Sequence, residues 1–242
     1  MRIALLSDIH GNARALKAVL HDLQKQKIDR MYILGDICYR GPEPKNALET
    51  VRSSPAKVLK GNADEWVVRG VLRNEVPDQA LAIMNQERDW TLERLTADDL
   101  NYLENLPESF VEQFSDAATM HAFHATPSSL FDVVAKDQPD EQIADAFISA
   151  DTNANIIVYG HIHTPFIKTI GNKTFINTGS VGLPFDGDPR PSYVLLHVTD
   201  DTFSASIERV SYDIDRVVKQ YDANDYPNSE QMKATIKHAK KP

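Results

Sequence analysis

The chain has 242 residues, a formal net charge of −9 and 42% hydrophobic residues, enough for a sizeable core in one large domain or two small ones. No run approaches the roughly 18 apolar residues of a membrane span, and the acidic balance argues against broad nonspecific nucleic-acid binding, which needs basic surface to displace counterions. Cys38 is the single cysteine and has no partner for an internal disulfide, which fits a reducing cytoplasm. Met1-Arg2 leads straight into the first apolar run, so no cleavable leader is expected before it.

Residues 2 to 62 are predicted to alternate strand, helix, strand, helix, strand, a pattern that implies right-handed crossovers and partly parallel pairing. Leu16, Val19, Leu20 and Leu23 form the apolar stripe of the first helix, with Asn12 placed as its N-cap. Residues 64 to 106 read as a helical insert packing through Trp66, Val67, Leu81, Leu92, Leu95, Leu100 and Leu103. Strands follow at Phe110 to Phe114 and Ala118 to His124, then a short helix over 140 to 150. Ile167 to Ile170 and Thr174 to Ile176, around Gly171-Asn172, give the clearest hairpin signal. Tyr193 to Val198 and Phe203 to Val210 form another strand pair. Residues 213 to 242 read as a polar C-terminal extension ending in a basic stretch that frays at its tip. No linker divides the chain, so 1–242 is taken as a single domain.

Five apolar runs end in residues able to ligate a metal: Ile3 to Leu6, Met31 to Leu34, Val58 to Leu59, Thr119 to Phe123 and Ile156 to Tyr159. Behind them stand Asp8 and His10, Asp36, Asn62, His124, and His161 and His163, ligands enough for two ions at the carboxyl ends of strands. Oxygen and imidazole without thiolate suit Mn, Fe, Zn, Ni or Co. His121 competes with His124, but three residues apart on a strand the two face opposite ways. His124, at the end of its run, is the better placed. Cys38 is read as a small buried hydrophobe rather than a reactive thiol.

Asp8-Ile9-His10, Gly35-Asp36, Gly61-Asn62-Ala63-Asp64, His124 and Gly160-His161-Ile162-His163, in that order, resemble the calcineurin-like metallophosphoesterase superfamily. Gly41-Pro42-Glu43-Pro44, Asn177 to Gly182 and Asp186 to Arg190 look like its small bacterial, single-domain, phosphodiesterase-like branch. The resemblance implies an α/β (α+β) fold, a four-layer αββα sandwich with the helical insert beside the active site. It also implies two divalent ions, one held by Asp8, His10, Asp36 and His163 and the other by Asp36, Asn62, His124 and His161, with Asp36 bridging. Attack of a metal-bridging hydroxide on a small phosphodiester or nucleotide polyphosphate is the expected reaction, with Asp36, Asn62 and His124 at the catalytic centre. Arg40, Lys60, Asn62 and Arg190 are the candidate substrate-binding residues, Lys60 lacking the bidentate fork of the arginine found in related branches.

Ala63 departs from the family pattern, which places there a histidine that protonates the leaving oxygen. Without it, stable leaving groups are favoured unless Asp64 or His121 supplies the proton. Two alternatives stand beside the esterase of small phosphates: a phosphoprotein or other phosphomonoester phosphatase, and a non-catalytic scaffold of the same fold, as the retromer subunit is thought to be. The complete ligand set argues against the scaffold.

Overall fold

The computed structural model describes residues 1–151 and 153–241; Pro242, the last residue of the expected C-terminal extension, lies outside them. The first strand, β1 (Arg2–Leu6), is buried on both faces, as its unbroken apolar run requires. Ile3 and Leu5 turn one way, Ala4 and Leu6 the other, and these two sets belong to different cores. Helix α1 (Ala13–Gln26) follows, its N-terminus capped by the Asn12 side chain, which accepts from the Ala15 amide at 3.1 Å. Leu16, Val19 and Leu23 are buried and Leu20 packs half-buried beside them, as the stripe predicted.

β2 (Arg30–Ile33), α2 (Pro44–Arg52) and β3 (Lys57–Val58) complete a parallel β1-β2-β3 run. Helices α3 (Asn62–Arg69), α4 (Asp78–Leu92) and α5 (Ala97–Glu104) come next. The second sheet contains β4 (Ser109–Ser115), β5 (Ala118–Phe123), β6 (Ile156–Tyr159), β7 (Phe166–Ile170) and β8 (Lys173–Asn177), with α6 (Asp140–Ala146) between β5 and β6. Strands β9 (Ser192–Val198) and β10 (Phe203–Arg209) return to the first sheet, giving the orders β10-β9-β1-β2-β3 and β4-β5-β6-β8-β7.

Four layers follow from how the side chains partition. Ile3, Leu5, Tyr32 and Leu34 of the first sheet meet Met120, Ala122, Ile156 and Val158 of the second in an apolar inter-sheet core. The outer face of the first sheet packs on α1 to α5, and that of the second packs on α6 around Phe123, Phe147, Tyr159 and Phe175. The αββα sandwich is thus the observed architecture.

Two readings shift. The helix over 140–150 stops at Ala146, where Phe147 leaves helical geometry and buries itself between the sheet-facing aromatics. The polar C-terminal stretch forms two packed helices, α7 (Ile214–Ala223) and α8 (Ser229–His238). Val217, Val218 and Tyr221 on one, and Met232 and Ile236 on the other, pack on Trp90, Leu183 and Tyr226. Their spacing carries a helical period that the surrounding polar residues dilute.

Helices α2 and α5 are joined through Asp99, which is 1% exposed and accepts from Lys45 Nζ at 2.6 Å, Arg52 Nη1 at 3.0 Å and the Thr96 amide at 2.8 Å. Burial alone would raise this carboxyl, but the Lys45 ammonium and the Thr96 cap outweigh it and hold it at about 2. A carboxylate with a depressed folded pKa stabilises fully above its ordinary value of 3.8, and that contribution disappears as pH falls toward 2. Asp99→Asn is expected to melt roughly 3–6 °C below wild type at neutral pH, with the gap closing between pH 4 and 2. A pH-independent gap in thermal melts would rule out the charge as its cause.

Candidate metal centre

Every ligand candidate leaves the sheet at the carboxyl end of a parallel strand: Asp8 and His10 after β1, Asp36 after β2, Asn62 after β3, His124 after β5, His161 and His163 after β6. The loops are laced by backbone bonds, with Asp8 N donating to Gly35 O at 3.1 Å, His10 N to Asp36 O at 2.9 Å and Gly160 N to His124 O at 2.9 Å. Asp8, His10, Asp36, His161 and His163 all sit at positive φ, between 47° and 67°. Each such residue carries backbone strain of order 1–3 kcal/mol, held in place by the surrounding bonds.

Glycine is required where these loops cross. Gly35 has φ +91°, and a Cβ there would stand 2.3 Å from the Gly61 amide nitrogen, so the Gly-Asp and Gly-Asn loops touch backbone to backbone. A Cβ on Gly160 would fall 2.0 Å from Ser7 Oγ and 2.6 Å from Asp8 Oδ2. The motif glycines therefore let the ligand residues converge.

The imidazoles show what converges. His10 Nδ1 lies 2.9 Å from Tyr39 O and His163 Nδ1 lies 2.5 Å from Leu183 O. A carbonyl only accepts, so each Nδ1 carries the proton and each Nε2 keeps a lone pair. Those two Nε2 atoms face each other at 3.0 Å, with Asp8 Oδ1 3.1 Å from His163 Nε2 and Asp36 Oδ2 3.5 Å from His10 Nε2. Asp8 Oδ1 is buried with no hydrogen-bond partner among the described residues. Lone pairs and carboxylates packed against one another without a donor are the surroundings of a cation, and Asp8, His10, Asp36 and His163 fit one.

A second convergence lies alongside. His124 donates Nδ1–H to Leu34 O at 2.6 Å, which leaves its Nε2 lone pair 2.9 Å from the acceptor Asn62 Oδ1 and 3.5 Å from Asp36 Oδ2. His161 Nδ1 stands 2.8 Å from the same Asn62 oxygen. Asp36 Oδ2 therefore touches both groups, while Asp36 Oδ1 accepts from the Ala63 amide at 2.8 Å. Burial, reinforced by the neighbouring imidazoles, drives the His161 ring down to about 3, keeping it neutral as a ligand must be. Burial and the charge of Asp8 push the Asp36 carboxyl up to about 7.

The anion-binding candidates separate. Arg40 lines the cavity in front of the ligands, with Nε 3.2 Å from the buried Glu87 carboxylate. Lys60 is 8% exposed, pairs with Glu65 at 3.3 Å and is absent from the cavity wall. Arg190 is exposed and pairs with Asp188 at 2.6 Å, also away from that wall. His121 accepts the Asp151 amide at 2.9 Å and rests edge-on against Phe123, while His124 is the imidazole that meets Asn62 and Asp36. Cys38 is fully buried, and burial with the nearby Asp64, Asp99 and Asp36 charges pushes its thiol well above the ordinary range.

Sequence reasoning missed two contributors, Glu87 and Phe185, and read Asp64 only as a possible proton donor. Asp64 accepts from the amides of Asp36 at 2.8 Å, Gly61 at 2.9 Å and Ile37 at 2.9 Å, tying the two ligand loops together. An acid at the third position of a helix opening with Gly-Asn was the available signal. Glu87, fully buried behind Arg40, was marked only by a charge set among the core positions Met84 and Trp90. Phe185 stacks on His163 with centroids 4.2 Å apart and planes at 17°, a contact no local pattern foretells.

Residues 1–201 match the calcineurin-like phosphoesterase superfamily domain. The chain is 32% identical to the uncharacterized protein MJ0912 of Methanocaldococcus jannaschii, covering 93% of each, and 30% identical to the phosphodiesterase YfcE of Escherichia coli, covering 81% of this chain and 87% of that protein. Its fold superposes on a crystal structure of a metallophosphoesterase from Sphaerobacter thermophilus with a TM-score of 0.79, 27% identity and 99% coverage of both chains. The family implies divalent metal, which the converging ligands described above suit. Among the described residues no helix is long and apolar enough to cross a membrane. The chain belongs to the calcineurin-like phosphoesterase superfamily and is a hydrolase of phosphate esters.

Proposed function

We propose that the protein hydrolyses a small phosphodiester or nucleotide polyphosphate at a dinuclear centre formed by Asp8, His10, Asp36, Asn62, His124, His161 and His163. The observation that carries this reading is the Asp36 carboxylate, one oxygen of which stands 3.5 Å from the unprotonated nitrogens of both His10 and His124. Such a site, when loaded, supplies a nucleophile from water at neutral pH and a clamp on the phosphoryl oxygens. Arg40, oriented by Glu87, adds a fixed cation on the cavity wall for the phosphoryl group. A reducing cytoplasm is the compartment that suits the lone buried thiol of Cys38.

Proton delivery to the leaving oxygen is the weak point. Ala63 has no proton to give, both Asp64 oxygens are occupied by backbone amides, and His121 is held at Asp151. Alkyl phosphate esters are therefore expected to react at least about 10²-fold more slowly than p-nitrophenyl esters of the same charge, a ratio read from kcat/KM on matched pairs. Equal rates on the two would mean that a general acid is at work.

Hydrolysis of bis-p-nitrophenyl phosphate, p-nitrophenyl phosphate and diadenosine tetraphosphate by metal-stripped protein, with Mn, Ni, Co, Zn or Fe restored singly, tests the reading. Metal-dependent turnover with a preference for the diester or the anhydride supports it. Fast hydrolysis of a phosphopeptide would instead favour a phosphoprotein phosphatase. Bound metal without turnover would favour a scaffold.

A further inference from the structure

The ligand cluster opens into a cavity of about 520 Å³, within the roughly 300–1,000 Å³ of small-molecule sites. Its ligand end is polar. Beyond that end the wall is aromatic and aliphatic, built by Tyr39, Trp66, Val76, Met84, Phe131 and Phe185. Trp66 and Phe131 have centroids 5.8 Å apart with planes at 46°, and Tyr39 stands edge-on to Trp66 at 6.1 Å and 78°.

The polar handles of Trp66 and Tyr39 are already committed. Trp66 Nε1 donates to Glu75 Oε2 at 2.9 Å, and Glu75 also accepts from Arg69 and from the Leu72 amide at 2.9 Å. The Tyr39 hydroxyl donates to Met84 O at 2.8 Å. With these edges occupied, the aromatic part of the wall has no free polar edge at Trp66 or Tyr39; the Arg69 guanidinium stands 5.7 Å from the Phe131 centroid, and Lys136, Asp137 and Lys241 also line the cavity. Arg40 is the cation beside the ligand cluster, its Nη2 meeting only the weak acceptor Met232 Sδ, at 3.6 Å, among the described residues.

Taking the phosphoesterase reading as given, we propose that the substrate carries a flat aromatic group on its phosphoryl ester, and that Trp66 and Phe131 hold this ring by its face while Arg40 and the metal ligands hold the phosphate. Recognition through faces leaves the identity of the ring's edge substituents secondary. Burying one ring removes apolar surface from water and adds stacking, whereas a small alkyl ester leaves the aromatic chamber filled with water.

The test is isothermal calorimetry on Mn-reconstituted protein with two dianions that differ only in the ring, methylphosphonate and 1-naphthylmethylphosphonate. Wild type is expected to bind the naphthyl probe about 10- to 100-fold more tightly. Phe131→Ala and Trp66→Ala should cut that ratio to about threefold or less with methylphosphonate affinity unchanged, and Trp66→Phe should restore most of it. Because Phe131 is partly exposed, its truncation tests the idea even if Trp66→Ala fails to fold. Equal affinity for the two probes in a wild type that turns over bis-p-nitrophenyl phosphate would overturn the aromatic chamber and leave the esterase standing. A ratio that survives in Phe131→Ala and the folded Trp66 variants would overturn the assignment of the ring to these residues. No binding of either probe together with no turnover under any metal would remove the esterase reading, and this inference with it.

Discussion

Asp36→Asn is expected to cut turnover by a factor of about 10³ or more while leaving the metal-free fold at least as stable as wild type. The substitution keeps an oxygen for the Ala63 amide, which Asp36 Oδ1 accepts at 2.8 Å, so the local turn survives. What it removes is a buried negative charge whose pKa is pushed up to about 7 by burial and by Asp8. A carboxyl raised in the folded state costs stability once pH exceeds its ordinary value of 3.8, and the cost grows until about pH 7 and then stays constant. In chelator, the melting temperature of the variant relative to wild type should therefore rise from pH 4 to pH 7 and level off. Added Mn should raise wild type well above the variant if Asp36 bridges two ions as proposed, because only the wild type keeps the full carboxylate. A variant with a tenth of wild-type activity, or one that melts several degrees lower without metal, would contradict this account of Asp36.

Asp64→Ala is expected to produce the largest loss of stability of any single change at the site, with melting lowered by about 10 °C or more. The side chain is fully buried and satisfies the amides of Asp36, Ile37 and Gly61, which the methyl group of alanine leaves without acceptors in a place water does not reach. Each orphaned amide costs about 1–3 kcal/mol. Asp64→Asn retains one acceptor oxygen and should lose less than half as much. Metal affinity should fall in both variants, because these amides fix the turns that carry Asp36 and Asn62. Calorimetric melts of the two variants with and without Mn separate the effects. An Asp64→Ala protein that melts within 2 °C of wild type would refute the clamp.

The strand ends of the site were legible because chemistry and periodicity agree there: an apolar run, a glycine where two loops cross, then a ligand. β1, β2, β3, β5 and β6 lie within a residue or two of their predicted limits for that reason. The helix stripe Leu16, Val19, Leu23 was legible for the same reason, its neighbours being polar. The cavity wall was not, because Trp66, Phe131 and Phe185 come from separate segments and each alone resembles an ordinary core residue. Helices α7 and α8 were obscured by their charge, though they cover this side of the site, with the Tyr221 hydroxyl donating to Arg40 O at 2.9 Å. The left-handed backbone at Asp8, His10, Asp36, His161 and His163 was equally hidden, since nothing about an aspartate or a histidine announces positive φ.

The placement of β1 constrains when the site can exist during synthesis. Its register against β9 pairs Arg2 with His197 and Leu5 with Val194, and the chain's first amino group donates to Val198 O, 197 positions further along the chain. A nascent chain that has not yet emerged through residue 198 holds β1 without its antiparallel neighbour, and the loop bearing Asp8 and His10 lacks the segment that bonds it at Val181 and Gly182. Loop-closure entropy makes so distant a pairing a late event. The site therefore forms only once residues through 198 are available, and fragments shorter than about 200 residues carry the ligand candidates without the site.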